Sequence, residues 1–596
     1  MSTLCILFLL STAIASLAQN GDLIITTSYG KLRGFSTQSQ DGQRIRIFKG
    51  VPFAQPPLGE LRWKLAQKPT PWLDALDSTK YSAACNSTTS KSPQKVMSED
   101  CLYLNIFAPD HCTASNKCPV VVYYHGGAMN FDSAVYFNDS YLIRSFASKG
   151  VMLVIPAYRF GFTGILDFGD DHRYVPANIG VHDAIEALRF LKTEVAAFGG
   201  DIEKLTIYGH SYGATLAFVV AYSPVTMKEV SVKRLILMSC EISPAERQLI
   251  RHNTELLVDM AGCRRSTSND TIECMRKKDG FELLAAQRKI EEANVDTKSF
   301  EFIIWDTDVV PYKGLPDMLM IKQKFDLIIG TTLNELDFPD ETYTGGAAGD
   351  LYFYRNNKEL AEIYVKLVES GVIKQNHSDA SLAVILGTFQ VARALKRQSN
   401  NVYLYSFEQA THAYHTDDLY YIMGVHAFDM DENEQVISTF YSDLFVNFTK
   451  TGVPSPLWTQ FDEDTTSYFS IEVNVTTGSY WDKTAAKLDK IISAANAAGG
   501  KLKLGKEKIF RDLELPEDDE VPPRNGTIVA FVVHPRFMSF STLMMIMVFF
   551  SIGILLGRFW LSRNADIQET VVILGADGRP LRIDAEKIPL LAEQIF

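Results

Sequence analysis

Five short apolar runs, rich in β-branched and aromatic residues, recur in the chain, and each leads into a polar or glycine-containing segment. They lie at residues 119–124, 205–208, 235–238, 325–330 and 402–407. Runs of this length and composition are typical of buried strands. The run at 205–208 is followed, after a glycine-rich pentapeptide, by a small and apolar stretch that suits a helix. The pattern predicts an α/β protein.

The pentapeptide is Gly209-His210-Ser211-Tyr212-Gly213. A Gly-x-Ser-x-Gly sequence between a strand and a helix is typical of the nucleophile elbow in α/β-hydrolases. Glycine is needed on both sides because a Cβ atom in so tight a turn would collide with neighbouring backbone. The sequence therefore predicts an α/β-hydrolase fold, in which a large, mostly parallel central sheet is flanked by helices, with Ser211 as the nucleophile.

A serine hydroxyl requires a histidine base and a carboxylate that orients this base, and in this fold they follow the serine in the order acid, then histidine. Two carboxylates, Glu335 and Asp337, follow the apolar run at 325–330. Two histidines, His412 and His415, follow the run at 402–407. The residues alone leave both choices open.

The oxyanion of the reaction also needs backbone donors. In this fold they are the N–H after the nucleophile, here that of Tyr212, and others from a glycine-rich loop after an earlier strand. The segment His125-Gly126-Gly127-Ala128 follows the run at 119–124 and is the expected loop.

Both ends of the chain carry targeting signals. The first residues are apolar and end in the small-residue pattern of a cleaved signal peptide. Near the other end, a charge-free apolar span is long enough to cross a bilayer, and Arg558 and Arg563 behind it place the C-terminus in the cytosol. We therefore predict a signal peptide (1–18), a catalytic domain (19–505), a lumenal stalk (506–536), a transmembrane helix (537–557) and a cytosolic tail (558–596).

Cysteines and sequons agree with a lumenal domain. Six cysteines form plausible local disulfide pairs, which are Cys85–Cys101, Cys112–Cys118 and Cys263–Cys274, and Cys240 is left as a buried free thiol. Seven Asn-x-Ser/Thr sequons all precede the apolar span, at Asn86, Asn138, Asn269, Asn376, Asn447, Asn474 and Asn525. The cysteine and histidine spacing does not indicate a zinc site, so no metal is expected.

The composition and net charge of the chain indicate which kinds of partner it can bind. The chain has 596 residues, of which 46% are hydrophobic, and a net charge of −13. A nucleic-acid partner is therefore not expected on electrostatic grounds.

Longer motifs resemble the type-B carboxylesterase/cholinesterase family over about residues 22–485. The segment 198–213 looks like the family's active-site signature, 98–105 like its second signature, and 50–63 like its N-terminal motif. The resemblance implies that Glu335 is the acid and His415 the base. It also implies Gly127, Ala128 and Tyr212 as oxyanion donors, and no cofactor.

The chain departs from the family pattern at several positions. Tyr212 stands where a small residue is usual, and a phenol near the acyl pocket is expected to affect the size of substrate that the site accepts. Thr416 replaces the usual glycine after the histidine, and Leu336 the usual glycine after the acid. The segment between Cys85 and Cys101 has no tryptophan, so a choline-binding cation–π site is not expected there.

The tail residues Glu586, Leu590 and Leu591 resemble an acidic dileucine signal, which sorting adaptors read. Similar family members include membrane-anchored nematode carboxylesterases of lysosome-related organelles. The signal peptide, the sequons and the apolar span with its following arginines predict a single-pass type I protein with the catalytic domain lumenal or extracellular, and the tail motif adds the endolysosomal system as its expected location.

Three functions are consistent with these features. The first is hydrolysis of small-molecule carboxylic esters through an acyl-enzyme. The second is transfer of the acyl group to a small-molecule alcohol or amine. The third is adhesion, as in neuroligin-like relatives that share the fold without the nucleophile.

Overall fold

The structure is a computed structural model. It describes residues 23–87, 96–169, 174–240, 247–293, 300, 303–338, 377–409, 411–463, 465–473 and 476–479, together with two short strands near the C-terminus. The predicted signal peptide, stalk and transmembrane helix lie outside the described residues, as do Asn376, Asn474, Asn525 and the sorting residues Glu586, Leu590 and Leu591.

Thirteen strands of the described chain form one sheet. The strands are β1 (Leu23–Thr27), β2 (Gly30–Gln38), β3 (Arg44–Pro52), β4 (Leu76–Asp77), β5 (Tyr103–Pro109), β6 (Cys118–Tyr124), β7 (Met152–Pro156), β8 (Gly200–His210), β9 (Arg234–Met238), β10 (Asp326–Thr332), β11 (Val402–Phe407), β12 (Ser467–Ile471) and β13 (Thr476–Ser479). Their order is β1-β2-β3-β5-β7-β6-β8-β9-β10-β11-β12-β13, and β4 pairs with β2.

The centre of this sheet is parallel. All neighbours from β7 to β12 run in the same direction, whereas the pairs among β1, β2, β3, β5 and β7 and the pair β12–β13 are antiparallel. Strand β11 is buried at every position because both faces of the sheet are covered. The predicted large central sheet flanked by helices is confirmed.

The α-helices of the described residues are α1 (Asp139–Leu142), α2 (Ile179–Glu194), α3 (Tyr212–Tyr222), α4 (Pro224–Glu229), α5 (Arg247–Met260), α6 (Ser268–Arg276), α7 (Gly280–Ala293), α8 (Leu315–Leu319), α9 (Asp379–Arg397), α10 (Asp417–Met423) and α11 (Glu432–Thr451). Short 3₁₀ turns occur at Gly59–Leu61, Gly161–Thr163 and Val195–Phe198, and Ile143–Ala147 is a π-helical turn. Helix α3 is buried along its whole length, so it packs within the core behind the elbow.

Each apolar run of the sequence is one of the central strands, and the polar segments follow their carboxyl ends. Because β8, β9, β10 and β11 are parallel neighbours, those ends meet at one edge of the sheet. This edge is where the elbow, the acid loop and the histidine loop come together.

Three disulfides are formed, Cys85–Cys101, Cys112–Cys118 and Cys263–Cys274. Cys240 directly follows Ser239 at the end of β9 and is buried and outside these three disulfides, as the sequence predicted. Of the sequons within the described residues, Asn138, Asn269 and Asn447 are exposed. Asn86 is only 3% exposed, so its side chain is not open to a carbohydrate on the folded domain.

The chain divides into two compact units, Met1–Lys503 and Leu504–Phe596. In the second unit, the described residues form a hairpin of two antiparallel strands, β14 (Val572–Leu574) and β15 (Pro580–Arg582). None of the helices within the described residues has the length and hydrophobicity needed to span a bilayer, and the predicted span at 537–557 is not among them.

The burial of Cys240 predicts that its thiol does not react while the protein is folded. In the chain from which the predicted signal peptide, and with it Cys5, has been removed, Cys240 is expected to react with a thiol reagent only after unfolding, because its side chain is fully buried and the other six cysteines are paired. Titration with a chromogenic disulfide reagent, with and without guanidinium chloride, measures this. Reaction of one thiol per chain in the native protein would contradict the burial.

Candidate active site

The elbow is a sharp turn between β8 and α3. Ser211 has φ 55° and ψ −132°, a strained backbone conformation for a residue with a side chain. A Cβ atom on Gly209 would stand 2.1 Å from the carbonyl oxygen of Gly213, and one on Gly213 would stand 2.2 Å from that of Tyr124. Both contacts are shorter than van der Waals distance, so the turn requires glycine at both positions.

The structure brings His415 to this serine. The Nε2 atom of His415 lies 2.9 Å from Oγ of Ser211, which is hydrogen-bond distance. The histidine precedes helix α10, and Thr416 between them has φ 80°. Thr416 thus adopts the left-handed conformation for which the family uses glycine, so the departure at this position leaves the local backbone shape intact.

The carboxylate of Glu335 binds the other side of the imidazole. Its Oε2 lies 2.6 Å from Nδ1 of His415. Its Oε1 accepts from Oγ of Ser239 at 2.7 Å and from the backbone N–H of Thr332 at 2.8 Å. Glu335 is fully buried, and the donors fix its orientation. With a carboxylate at Nδ1, the proton belongs on that nitrogen, and Nε2 is left to accept from the serine hydroxyl.

The other two candidates for acid and base have different partners. Asp337 pairs with His377, with 2.6 Å between Oδ2 and Nδ1, and also accepts from the backbone N–H of Ser378. His412 lies 2.6 Å from Oε1 of Glu434, and its ring stacks on Phe428. Neither group is in the chain of hydrogen bonds that ends at Ser211.

The glycine-rich loop lies against the elbow. A Cβ atom on Gly126 would stand 3.1 Å from Cβ of Ser211. The next three residues all have positive φ, at 101° for Gly127, 49° for Ala128 and 55° for Met129. The backbone N–H of Gly161 donates to the carbonyl of Met129 at 2.8 Å and helps to hold this strained turn.

The phenol of Tyr212 has a structural partner. Its oxygen accepts from the backbone N–H of Ile303 at 2.8 Å, and the residue is 1% exposed. The bulky residue after the nucleophile therefore attaches the segment at Ile303 to the elbow.

Two neighbours of the acid were not identified from the sequence. Ser239 directly follows strand β9, and a polar residue at that strand end was the available signal. Asp418 is fully buried and accepts from the hydroxyl of Tyr441 at 3.0 Å. Burial, and then the nearby charge of Glu335, raise the pKa of Asp418 to about 7.

One group of potential metal ligands lies outside the active site, and it is accounted for by a disulfide. His111, Cys112 and Cys118 place their potential ligand atoms within 4.8 Å of one another. The two sulfurs are bonded to each other, so they are not thiolates available to a cation.

Comparison with known proteins identifies the family of this chain. The model of the carboxylesterase family matches residues 21–489. The chain belongs to the carboxylesterase family. It is 26% identical to rat liver carboxylesterase 1F over 534 residues, which covers 77% of this chain and 93% of that protein. It is 27% identical to dog carboxylesterase 5A over 523 residues, which covers 76% and 87% of the two chains.

Solved structures show the same fold. A PNB esterase superimposes with a TM-score of 0.66 at 23% identity, covering 79% of this chain and 100% of that one. Juvenile hormone esterase from Manduca sexta, with OTFP covalently attached, superimposes with a TM-score of 0.68 at 22% identity and covers 81% and 100%.

The buried carboxyl of Asp418 predicts a pH dependence of stability. Its folded pKa of about 7 exceeds the ordinary value, so the folded chain retains a proton that the unfolded chain releases. The resulting stabilisation is complete below about pH 4 and is lost as the pH rises to about 7. Melting temperatures of wild type and Asp418→Asn across this window measure it. We expect wild type to lose stability relative to the variant, whereas parallel curves would contradict the shift.

Proposed function

We propose that Ser211, His415 and Glu335 are the nucleophile, base and acid of a serine carboxylesterase that works through an acyl-enzyme. Membership of the carboxylesterase family makes hydrolysis of carboxylic esters the activity of this chain. The observation that supports these three roles is the continuous pair of hydrogen bonds, 2.9 Å from Oγ to Nε2 and 2.6 Å from Nδ1 to Oε2. Nucleophile, base and orienting carboxylate are thus within reach of one another without rearrangement.

Acylation begins when Nε2 of His415 takes the hydroxyl proton and Oγ of Ser211 attacks the ester carbonyl. The imidazolium is stabilised by the carboxylate of Glu335 at its Nδ1. His415 then gives the proton to the leaving alcohol, and the acyl group stays on Oγ. In the second half, water gives its proton to His415 and releases the acid, and Ser211 recovers its hydroxyl.

The oxyanion donors in this mechanism are the backbone N–H groups of Gly127, Ala128 and Tyr212. The contact of Gly126 with the elbow supports the assignment because it places the loop next to Ser211. Donors held by a strained, close-packed turn do not have to reorganise when negative charge develops, which is the condition for a large catalytic effect.

The triad assignment predicts which variants lose activity. Ser211→Ala is expected to abolish labelling by a fluorophosphonate, and Glu335→Gln to lower kcat by about 10⁴-fold, because the tautomer and support of His415 are lost. Asp337→Asn and His412→Gln are the matched controls, since both groups are paired elsewhere. They should retain most of the activity on p-nitrophenyl acetate.

Fluorophosphonate labelling also distinguishes esterase from adhesion protein. A folded wild-type chain that is not labelled would contradict the enzymatic assignment and favour adhesion. An Asp337→Asn variant as inactive as Glu335→Gln would contradict the choice of acid.

We also propose that the catalytic domain is lumenal or extracellular and is anchored by one transmembrane helix at 537–557. A signal-like N-terminus, an apolar span followed by arginines, and three disulfides support this topology. The exposed sequons Asn138, Asn269 and Asn447 are the proposed glycan sites of the folded domain. The tail motif around Leu590 and Leu591 is proposed to direct the protein to endolysosomal membranes through a sorting adaptor.

The anchor predicts a clear result in cell fractionation. The full chain is expected to stay in the membrane pellet after alkaline carbonate extraction, whereas a chain ending at residue 536 should be secreted in glycosylated form, because the apolar span is removed. Release of the full chain by carbonate would contradict the anchor. Surface labelling of Leu590→Ala/Leu591→Ala tests sorting, and a surface level equal to that of wild type would contradict the motif.

A further inference from the structure

His210 is a second imidazole at the reaction centre. It is the last residue of β8 and is 2% exposed. Its ring centroid lies 5.1 Å from that of His415, with 41° between the ring planes. A Cβ atom on Gly126 would stand 3.4 Å from its Nδ1 and 3.1 Å from Cβ of Ser211. The His210 ring is therefore next to the oxyanion loop, the elbow and the base at the same time.

One nitrogen of this ring is buried without a partner. Within the described part of the chain, Nε2 of His210 makes no hydrogen bond. Leaving such a group unsatisfied destabilises the folded state, and in folded proteins a buried polar atom of this kind calls for a specific explanation. Beside a nucleophile and its base, the simplest explanation is that a reacting molecule completes the hydrogen bond.

The surroundings of the His210 imidazole favour its neutral form. Burial, together with the nearby imidazoles of His415 and His426, holds the pKa of His210 well below its usual range. A neutral imidazole has one donor and one acceptor nitrogen, so it can bind a hydroxyl group without exchanging a proton.

We propose that His210 hydrogen-bonds the oxygen of the molecule that accepts the acyl group, and that it thereby favours water over alcohols as the acceptor. The inference rests on the acyl-enzyme mechanism proposed above. The acceptor oxygen has to lie within hydrogen-bond distance of Nε2 of His415, about 3 Å away. The ring of His210 lies beside that position, with its centroid 5.1 Å from that of His415.

The step balances without a proton on His210. The acceptor O–H gives its proton to His415, and the oxygen forms a bond to the acyl carbon. The bond from this carbon to Oγ of Ser211 breaks, and Oγ takes the proton from His415. Water yields the free acid, whereas an alcohol yields a new ester. His210 only holds the acceptor in place.

Water depends on this contact more than an alcohol does. Hydrogen bonds are the only interactions that can position a water molecule, whereas an alcohol also gains from burial of its carbon atoms. Removing the ring nitrogen should therefore slow hydrolysis more than acyl transfer, and the partition of the acyl group should shift toward the alcohol.

The test compares His210→Phe, which keeps the ring size, with His210→Gln, which keeps a hydrogen-bonding amide. The acetyl-enzyme is formed with p-nitrophenyl acetate, and its decay is followed by intact mass spectrometry. The ratio of methyl acetate to acetate is measured at a fixed methanol concentration. For His210→Phe we expect hydrolytic decay about tenfold slower, which corresponds to one hydrogen bond of about 1.4 kcal/mol, and a ratio raised severalfold. His210→Gln should restore most of the wild-type decay.

The outcomes separate this inference from the mechanism that it rests on. Wild-type decay and an unchanged ratio in His210→Phe would overturn the inference and leave the triad in place. Loss of fluorophosphonate labelling and of melting temperature in both variants would also overturn it, because His210 would then support the elbow only. Wild-type protein without any labelling would overturn the triad itself, and this inference with it.

Discussion

Neither of the two glycines that flank Ser211 in the elbow, Gly209 and Gly213, has room for a Cβ atom. The backbones of β8, α3 and the end of β6 approach so closely there that a Cβ atom on Gly209 or Gly213 would stand about 2 Å from a carbonyl oxygen. This close packing holds Ser211 in a conformation that a residue with a side chain rarely adopts. The position of Ser211 therefore depends on the folded sheet, and His415, Glu335 and the glycine-rich loop at Gly126 are arranged around it.

The parallel centre of the sheet makes this placement possible. The elbow follows β8, Ser239 follows β9, Glu335 follows β10 and the histidine loop follows β11, and all four strand ends lie at one edge. Backbone links tie the loops together, because the N–H of His415 donates to the carbonyl of Glu335 at 2.8 Å. Residues more than 200 positions apart can thus meet within hydrogen-bond distance.

The same edge holds more titratable groups than a triad requires. His210 is buried beside His415, and Asp418 is buried near Glu335. Burial favours the neutral form of His210 and the protonated form of Asp418. The carboxylate of Glu335, by contrast, accepts three hydrogen bonds, from the side chains of Ser239 and His415 and from the backbone N–H of Thr332.

The sequence by itself determined the strands and the elbow and indicated Ser211 as the candidate nucleophile, because apolar runs, glycine spacing and strand ends are local patterns along the chain. It also indicated the three disulfides, whose partners are close in sequence.

The sequence left Glu335 and Asp337 as equal candidates for the acid, and His412 and His415 as equal candidates for the base, until the family motifs were considered. Only the tertiary structure paired His415 with Glu335 and gave the other two residues partners of their own, His377 and Glu434. The role of Thr416 as a left-handed substitute for glycine, the link from Tyr212 to Ile303 and the burial of Asp418 also became visible only there. The physical reason is that a hydrogen bond depends on where two loops lie in space, and residues separate in the chain do not encode that position locally.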